Sequence, residues 1–259
     1  MADDDDTPTL SAAAQAALRE FLAERAAQRE REEAEEALET STTLVSGEDW
    51  QLSQFWYDED TGIALARELL YCATEVRRES GLAEVGVACL ACPSMFKALR
   101  AIGVPLWIRL VLFEVDPRFS VFGDAFVLYD YNRPLDFPAA LRGTFDVIAL
   151  DPPFLQRACL AAFADTVASL KRVSGAGEPV EGCTRVLLCT GTVMARAARE
   201  LLAVHPVRLH VGHANRLSNP FSLFVSYDDE GRLGGVDDGV VELAAAAAAE
   251  AGPESASGP

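Results

Sequence analysis

Seven short apolar runs, each bounded by turn-forming residues and most of them separated by helical stretches, constrain this chain more than any other feature. The runs are Val85 to Leu90, Leu106 to Val115, Ala125 to Tyr129, Phe145 to Leu150, Arg185 to Cys189, Val207 to Val211 and Phe221 to Tyr227. Between them, Ser94 to Ile102, Leu155 to Lys171 and Thr192 to Val204 read as helices. Ahead of the first run, Thr61 to Arg78 sets Ile63, Ala66, Leu69, Leu70, Ala73 and Val76 at helical spacing. Strands alternating with helices predict an α/β fold, a mainly parallel sheet with helices on both faces. The last two runs are joined by Gly212 to Pro220, too short for a crossover helix, so the sheet is expected to close with an antiparallel pair.

At 259 residues and half hydrophobic, the chain has material for one large core, which excludes wholesale disorder. Its 22 Lys and Arg against 40 Asp and Glu leave a net charge of −18. Such a charge repels phosphate backbones at long range, which argues against nucleic acid as a partner and for a basic protein or small ligand. No apolar run approaches the roughly 18 residues of a membrane span, and the Met-Ala-Asp-Asp-Asp-Asp start is the opposite of a basic signal peptide. A cytoplasmic protein with no membrane partner is expected, its six cysteines mostly reduced and buried. Residues 1–48 form an acidic arm with helix-forming composition, either a solvated helix or a grip for a basic partner. The main domain is expected over 49–230, with 231–259 as a tail that ends in low-complexity Ala, Gly, Pro and Ser.

Ligands of open parallel sheets bind beyond the carboxyl ends of the strands. The fourth run delivers Asp151-Pro152-Pro153-Phe154 there, a carboxylate, two prolines and an aromatic ring. The prolines stiffen the turn and leave carbonyls free to accept, so the tetrapeptide can hold an amino group beside the Phe154 ring; it can also be a plain strand stop. The second run ends with Glu114 and Asp116, either of which could bind ribose hydroxyls; Glu114 is favoured, since Asp116-Pro117 reads as the next turn. The first run is followed by Ala91, Cys92, Pro93 and Ser94, small residues where such folds place glycines, with Ser94 a candidate helix cap. Cys89 and Cys92 have dithiol spacing, but no second ligand pair completes a metal site. Asp130 and Asn132 suit either a purine edge or an Asx turn. Four aromatics in Trp50 to Tyr57 should pack over a pocket or a partner. His205, His210 and His213 match no catalytic spacing and read as structural.

Taken together these stretches resemble a class I S-adenosylmethionine-dependent methyltransferase. More narrowly, the chain is similar to the family once labelled N-6 adenine-specific DNA methyltransferase-like and now assigned as lysine methyltransferases of translation elongation factor 1-alpha. The likeness is carried, in order, by Leu52 to Tyr57, Cys92 to Phe96, Phe113 to Phe119, Phe122 to Asp124, Tyr129 to Asn132, Asp151 to Phe154, Cys189 to Gly191 and Leu217 to Asn219. It departs at Pro220, where the family carries an acidic residue. The resemblance implies a Rossmann-like, seven-stranded sheet with an antiparallel last strand and S-adenosylmethionine lying across strands one to four. Ser53, Gln54, Phe55, Trp56 and Tyr57 would close over its methionine end, Cys92, Pro93 and Ser94 would line the first turn, Glu114 would meet the ribose and Asp130 the adenine. Asp151, Pro152, Pro153 and Phe154 would hold a lysine amine of the elongation factor. The rival readings are an adenine methyltransferase acting on DNA or RNA, a Cys89–Cys92 dithiol oxidoreductase, and a non-catalytic adaptor.

Overall fold

The computed structural model describes residues 56–174, 184–215 and 219–242. The acidic arm, Ser53, Gln54, Phe55, Cys183, Leu217, Ser218 and the alanine tail lie outside the described residues. Helix α1 (Glu59–Ser80) begins where Asp58 accepts a hydrogen bond from the Thr61 amide at 2.8 Å, and ends at Gly81 in the left-handed region. Acidic residues in its first turn and Arg77 and Arg78 in its last match the helix dipole at both ends. There follow β1 (Val85–Leu90), α2 (Pro93–Ile102), β2 (Ile108–Glu114), a 3-10 segment (Pro117–Ala125), β3 (Phe126–Leu128), β4 (Val147–Leu150), α3 (Arg157–Leu170), β5 (Arg185–Gly191), α4 (Ala195–Leu202), β6 (His205–His210) and β7 (Phe221–Val225).

The strands make one sheet in the order β3-β2-β1-β4-β5-β7-β6. The first five pair in parallel; β7 is inserted antiparallel between β5 and β6, the closure expected from the short connection. Central strands are buried on both faces, which is why they read as unbroken apolar runs. Ala88, Leu90, Ile148, Leu150, Val186 and Leu188 join one cluster with α3 and α4 residues such as Leu160, Phe163 and Ala198. Their alternate neighbours, Val87, Cys89, Val147, Ala149, Leu187 and Cys189, are as deeply buried on the opposite face. Helices α1 and α2 pack on each other, as do α3 and α4. Phe113 meets Tyr129, Phe137 and Phe145 edge-on at 6.0, 5.7 and 5.8 Å.

Four strands, β2, β3, β4 and β7, are shorter than their apolar runs, two of them for a visible reason. β4 starts at Val147 rather than Phe145 because Asp146 turns inward. Its carboxylate accepts from the Gly86 amide (2.8 Å) and from Arg172 at 2.7 and 2.6 Å, a bidentate pair that closes the lower end of the sheet. β3 keeps only three residues at the sheet edge, and Tyr129 leaves it to bond Thr166 through its hydroxyl at 2.6 Å. Residues 231–242, which composition assigns to the tail, pack on the body. Leu233 and Val240 are buried, and Arg232 is paired with the buried Glu68 of α1 at 3.1 Å.

Candidate active site

The strand order reverses between β1 and β4, so the crevice of this sheet opens beyond Leu90 and Leu150. Asp151 follows Leu150 directly, its amide donating to the Leu90 carbonyl at 3.1 Å. Pro152 is buried and Pro153 half-buried, so the corner is clamped while Phe154, 43% exposed, projects from it. The Phe154 ring stands edge-on to Tyr131 at 6.1 Å, and Tyr131 is stacked on the buried Phe163 at 5.9 Å. The exposed Phe154 ring is thus backed by the half-buried Tyr131 and the buried Phe163.

The Asp151 carboxyl is drawn into the protein, though the residue retains partial exposure. Burial pushes it up to about 7; the Tyr57 hydroxyl opposes that shift, and the nearby Glu114 carboxylate adds to it. Tyr57 donates to Asp151 Oδ2 at 2.5 Å, and burial together with the Asp151 charge holds the phenol well above its ordinary range. The tyrosine therefore stays a donor. Its amide donates to Ser94 Oγ at 3.2 Å, so Ser94 does not cap α2; Cys92 occupies that cap position without a side-chain hydrogen bond. Trp56 is half-buried with the Lys97 ammonium 4.5 Å from its ring centre.

At the β1 turn, Ala91 lies at φ +48°, the left-handed region that a glycine would take without strain. The turn has no glycine, so alanine bears the strain of the left-handed backbone. Cys92, buried, donates its thiol to the Ala149 carbonyl at 3.5 Å. Burial raises that thiol well above its ordinary range, and Cys89 is fully buried, so Cys92 lacks thiolate character and neither thiol has the access of a dithiol site.

Glu114 is buried at the end of β2, accepting from the Val115 amide at 2.9 Å and the Asp116 amide at 3.3 Å. Asp116 caps the next segment through the Arg118 amide and pairs with the Arg118 guanidinium at 2.6 Å, the turn role its sequence suggests. Asp130 accepts from the backbone and side-chain nitrogens of Asn132, both at 2.9 Å: an Asx turn. Tyr57, Ser94, Cys92, Glu114 and Asp151 thus converge on one crevice, while Asp130 follows β3 in its own Asx turn.

Two residues of this crevice were given no place in it from sequence, His213 being read as structural. His213 pairs with Tyr57 in an isolated antiparallel bridge, its ring 5.2 Å from the tyrosine and 4.8 Å from Phe221. Cys189 on β5 faces Tyr57 and Asp151, and burial lifts its thiol well above its ordinary range. Among the described residues no group of three or more His, Cys, Asp or Glu is placed to hold a metal ion, and no helix is long and apolar enough to cross a membrane.

A family model described as "Probable N6-adenine methyltransferase" matches residues 48–229. The human protein named EEF1A lysine methyltransferase 1 is 36% identical, over 92% of this chain and 98% of its own length. The chain belongs to this family. A Caenorhabditis elegans member named as a protein-lysine N-methyltransferase is 40% identical over 88% of this chain and 97% of its own. A solved magnesium protoporphyrin IX methyltransferase from Synechocystis PCC 6803, with bound SAM, covers 64% of this chain and 81% of that one at 12% identity and TM-score 0.37, too distant a likeness to bear on the crevice. The family model spans the sheet from before Tyr57 to beyond β7, so the whole crevice falls inside it.

Proposed function

We propose that this chain transfers a methyl group from S-adenosylmethionine to a lysine side-chain amine of a protein, and that the protein is translation elongation factor 1-alpha. The observation that carries the reading is the Asp151 corner: a carboxylate drawn out of water, fixed by two prolines, beside an exposed aromatic face. A lysine amine needs such a place, because its charge attracts it to both groups. The names of the human and C. elegans relatives supply the class of acceptor.

The donor fits the other half of the crevice by the chemistry of its groups. Glu114 offers a carboxylate to ribose hydroxyls, and the left-handed Ala91 turn carries the backbone past the end of β1. Trp56 and Tyr57, with Ser53, Gln54 and Phe55 before them, would cover the methionine end, Pro93 and Ser94 would line its floor, and Asp130 would face the adenine. When bound, the donor supplies an electrophilic methyl carbon on a sulfonium sulfur. Asp151 orients the acceptor nitrogen and stabilises the positive charge that remains on it, while Phe154 adds cation–π attraction. Holding the nitrogen in line at about 3 Å contributes much of the acceleration.

Net −18 supports a basic protein substrate over adenine in nucleic acid, whose phosphates it would repel. Five free cysteines among the described residues are in keeping with a reducing cytoplasm. The test is incubation with labelled S-adenosylmethionine and a cell extract. Label is expected in elongation factor 1-alpha, and Asp151→Ala is expected to abolish it while donor binding by calorimetry persists. Label in RNA or DNA would overturn the substrate class, and undiminished labelling by the variant would overturn the role of Asp151.

A further inference from the structure

Tyr57 is held from several directions before its side chain reaches Asp151. Its own amide is bonded to Ser94 Oγ, the Asp58 amide donates to the Gly212 carbonyl at 3.1 Å, and the Ala214 amide donates to the Trp56 carbonyl at 2.8 Å. The Gly212 amide returns a bond to Thr61 Oγ1 at 3.0 Å. The ring is 6% exposed and packs on His213. So fixed, the phenol takes Oδ2 of Asp151, and among the described residues Oδ1 has no hydrogen bond.

We propose that Tyr57 is a positioning residue that makes Asp151 the proton acceptor for the substrate ammonium, by occupying Oδ2 and presenting Oδ1 alone to the nitrogen. The inference rests on the lysine reading above. A lysine arrives protonated and cannot attack. One N–H bond breaks, its electron pair stays on nitrogen as the lone pair, and the proton bonds to Oδ1, giving a neutral amine and a neutral carboxylic acid. The proton then passes to water, which restores the carboxylate.

In water this transfer runs far uphill, from about 10.4 for an ammonium to about 3.9 for a carboxyl. Burial brings Asp151 to about 7, and the same dry surroundings lower the amine toward it. The groups facing Asp151 are Tyr57 ahead of α1, Cys92 after β1, Glu114 at the end of β2 and Cys189 on β5, with His213 behind Tyr57. The two thiols and the phenol are pushed upward and stay protonated, and Glu114 is tied into backbone amides, which leaves Asp151 as the acceptor.

The test is Tyr57→Phe, which keeps the ring against His213 and deletes only the hydroxyl. Because that hydroxyl favours the carboxylate, its loss should move the ionisation of Asp151 upward by about one to two pH units. Infrared titration of the carboxyl band, assigned by its disappearance in Asp151→Asn, reads this in the resting protein. Methylation of purified elongation factor 1-alpha against pH reads it in turnover: the wild type should rise to a plateau above about pH 7, and the variant's acid limb should shift by the same interval as the infrared midpoint. Asp151→Asn should be feeble at pH 7 and gain about tenfold per pH unit from 8 to 10, as free amine accumulates. An unmoved infrared midpoint, an unmoved acid limb, or a flat Asp151→Asn profile would each overturn the proposal while the lysine reading stands. A wild type that methylates no protein would overturn both.

Discussion

Replacing Asp151 by Asn removes a charge that folding strips of water, so it should stabilise the protein while disabling it. Asp151 ionises at about 7 in the fold, against an ordinary 3.8. Below 3.8 both folded and unfolded chains hold the proton and the group costs nothing. Between 3.8 and 7 the folded state binds more proton, so stability falls as pH rises; above 7 the whole penalty is present. At about 1.4 kcal/mol per pH unit across that gap, the penalty is about 4 kcal/mol, a large share of a domain's usual margin. Asn has nearly the same shape and can still accept from Tyr57. Urea unfolding followed by circular dichroism should therefore show Asp151→Asn more stable than wild type by about 4 kcal/mol at pH 8 and by about 1 kcal/mol at pH 4.5. No gain at pH 8, or an equal gain at both pH values, would refute the claim that this carboxylate is held ionised against burial.

Glu114→Gln keeps the acceptor that bonds the Val115 and Asp116 amides but removes the charge, so donor affinity by calorimetry should fall about tenfold. Asp116→Asn should leave that affinity unchanged, because Asp116 is committed to Arg118; a loss there would move the ribose partner to Asp116. Gly86→Ala would drive a methyl group into the Thr144 carbonyl oxygen, at the point where the Gly86 amide also meets Asp146. Backbone cannot yield as a side chain does, so this change should destabilise by about 3 kcal/mol or more in the same urea assay. A near-normal midpoint would show that β1 and the Thr144 segment can separate.

The alternation of runs made the fold readable because each central strand is buried on both faces, and no other placement satisfies that much apolar sequence. β1 begins and ends where its run does. Strand ends were less legible: the inward turn of Asp146 and the departure of Tyr129 both depend on partners far along the chain, Arg172 and Thr166. In the crevice, Asp151 and Glu114 could be found because a strand delivers each of them to the ligand edge. Ala91 could not, since nothing in an alanine announces a left-handed backbone. His213 and Cys189 could not be placed for a different reason: the bridge to Tyr57 brings His213 beside the site, and the parallel pairing of β5 with β4 brings Cys189 there. Ser94 sat where a cap was expected, but its oxygen was claimed by an amide 37 residues upstream.

The insertion of β7 between β5 and β6 has a consequence for how the molecule comes into being. The ribosome makes that strand after both of its neighbours, and the Thr61–Gly212 contact joins positions 151 residues apart. Until Val225 clears the exit tunnel, a growing chain has a gap in its sheet, and His213, which packs on Tyr57, lacks the Phe221 ring on its other side. Competence therefore arrives in one late step after synthesis, and a prematurely terminated product should be inert toward the methyl donor's chemistry instead of half active.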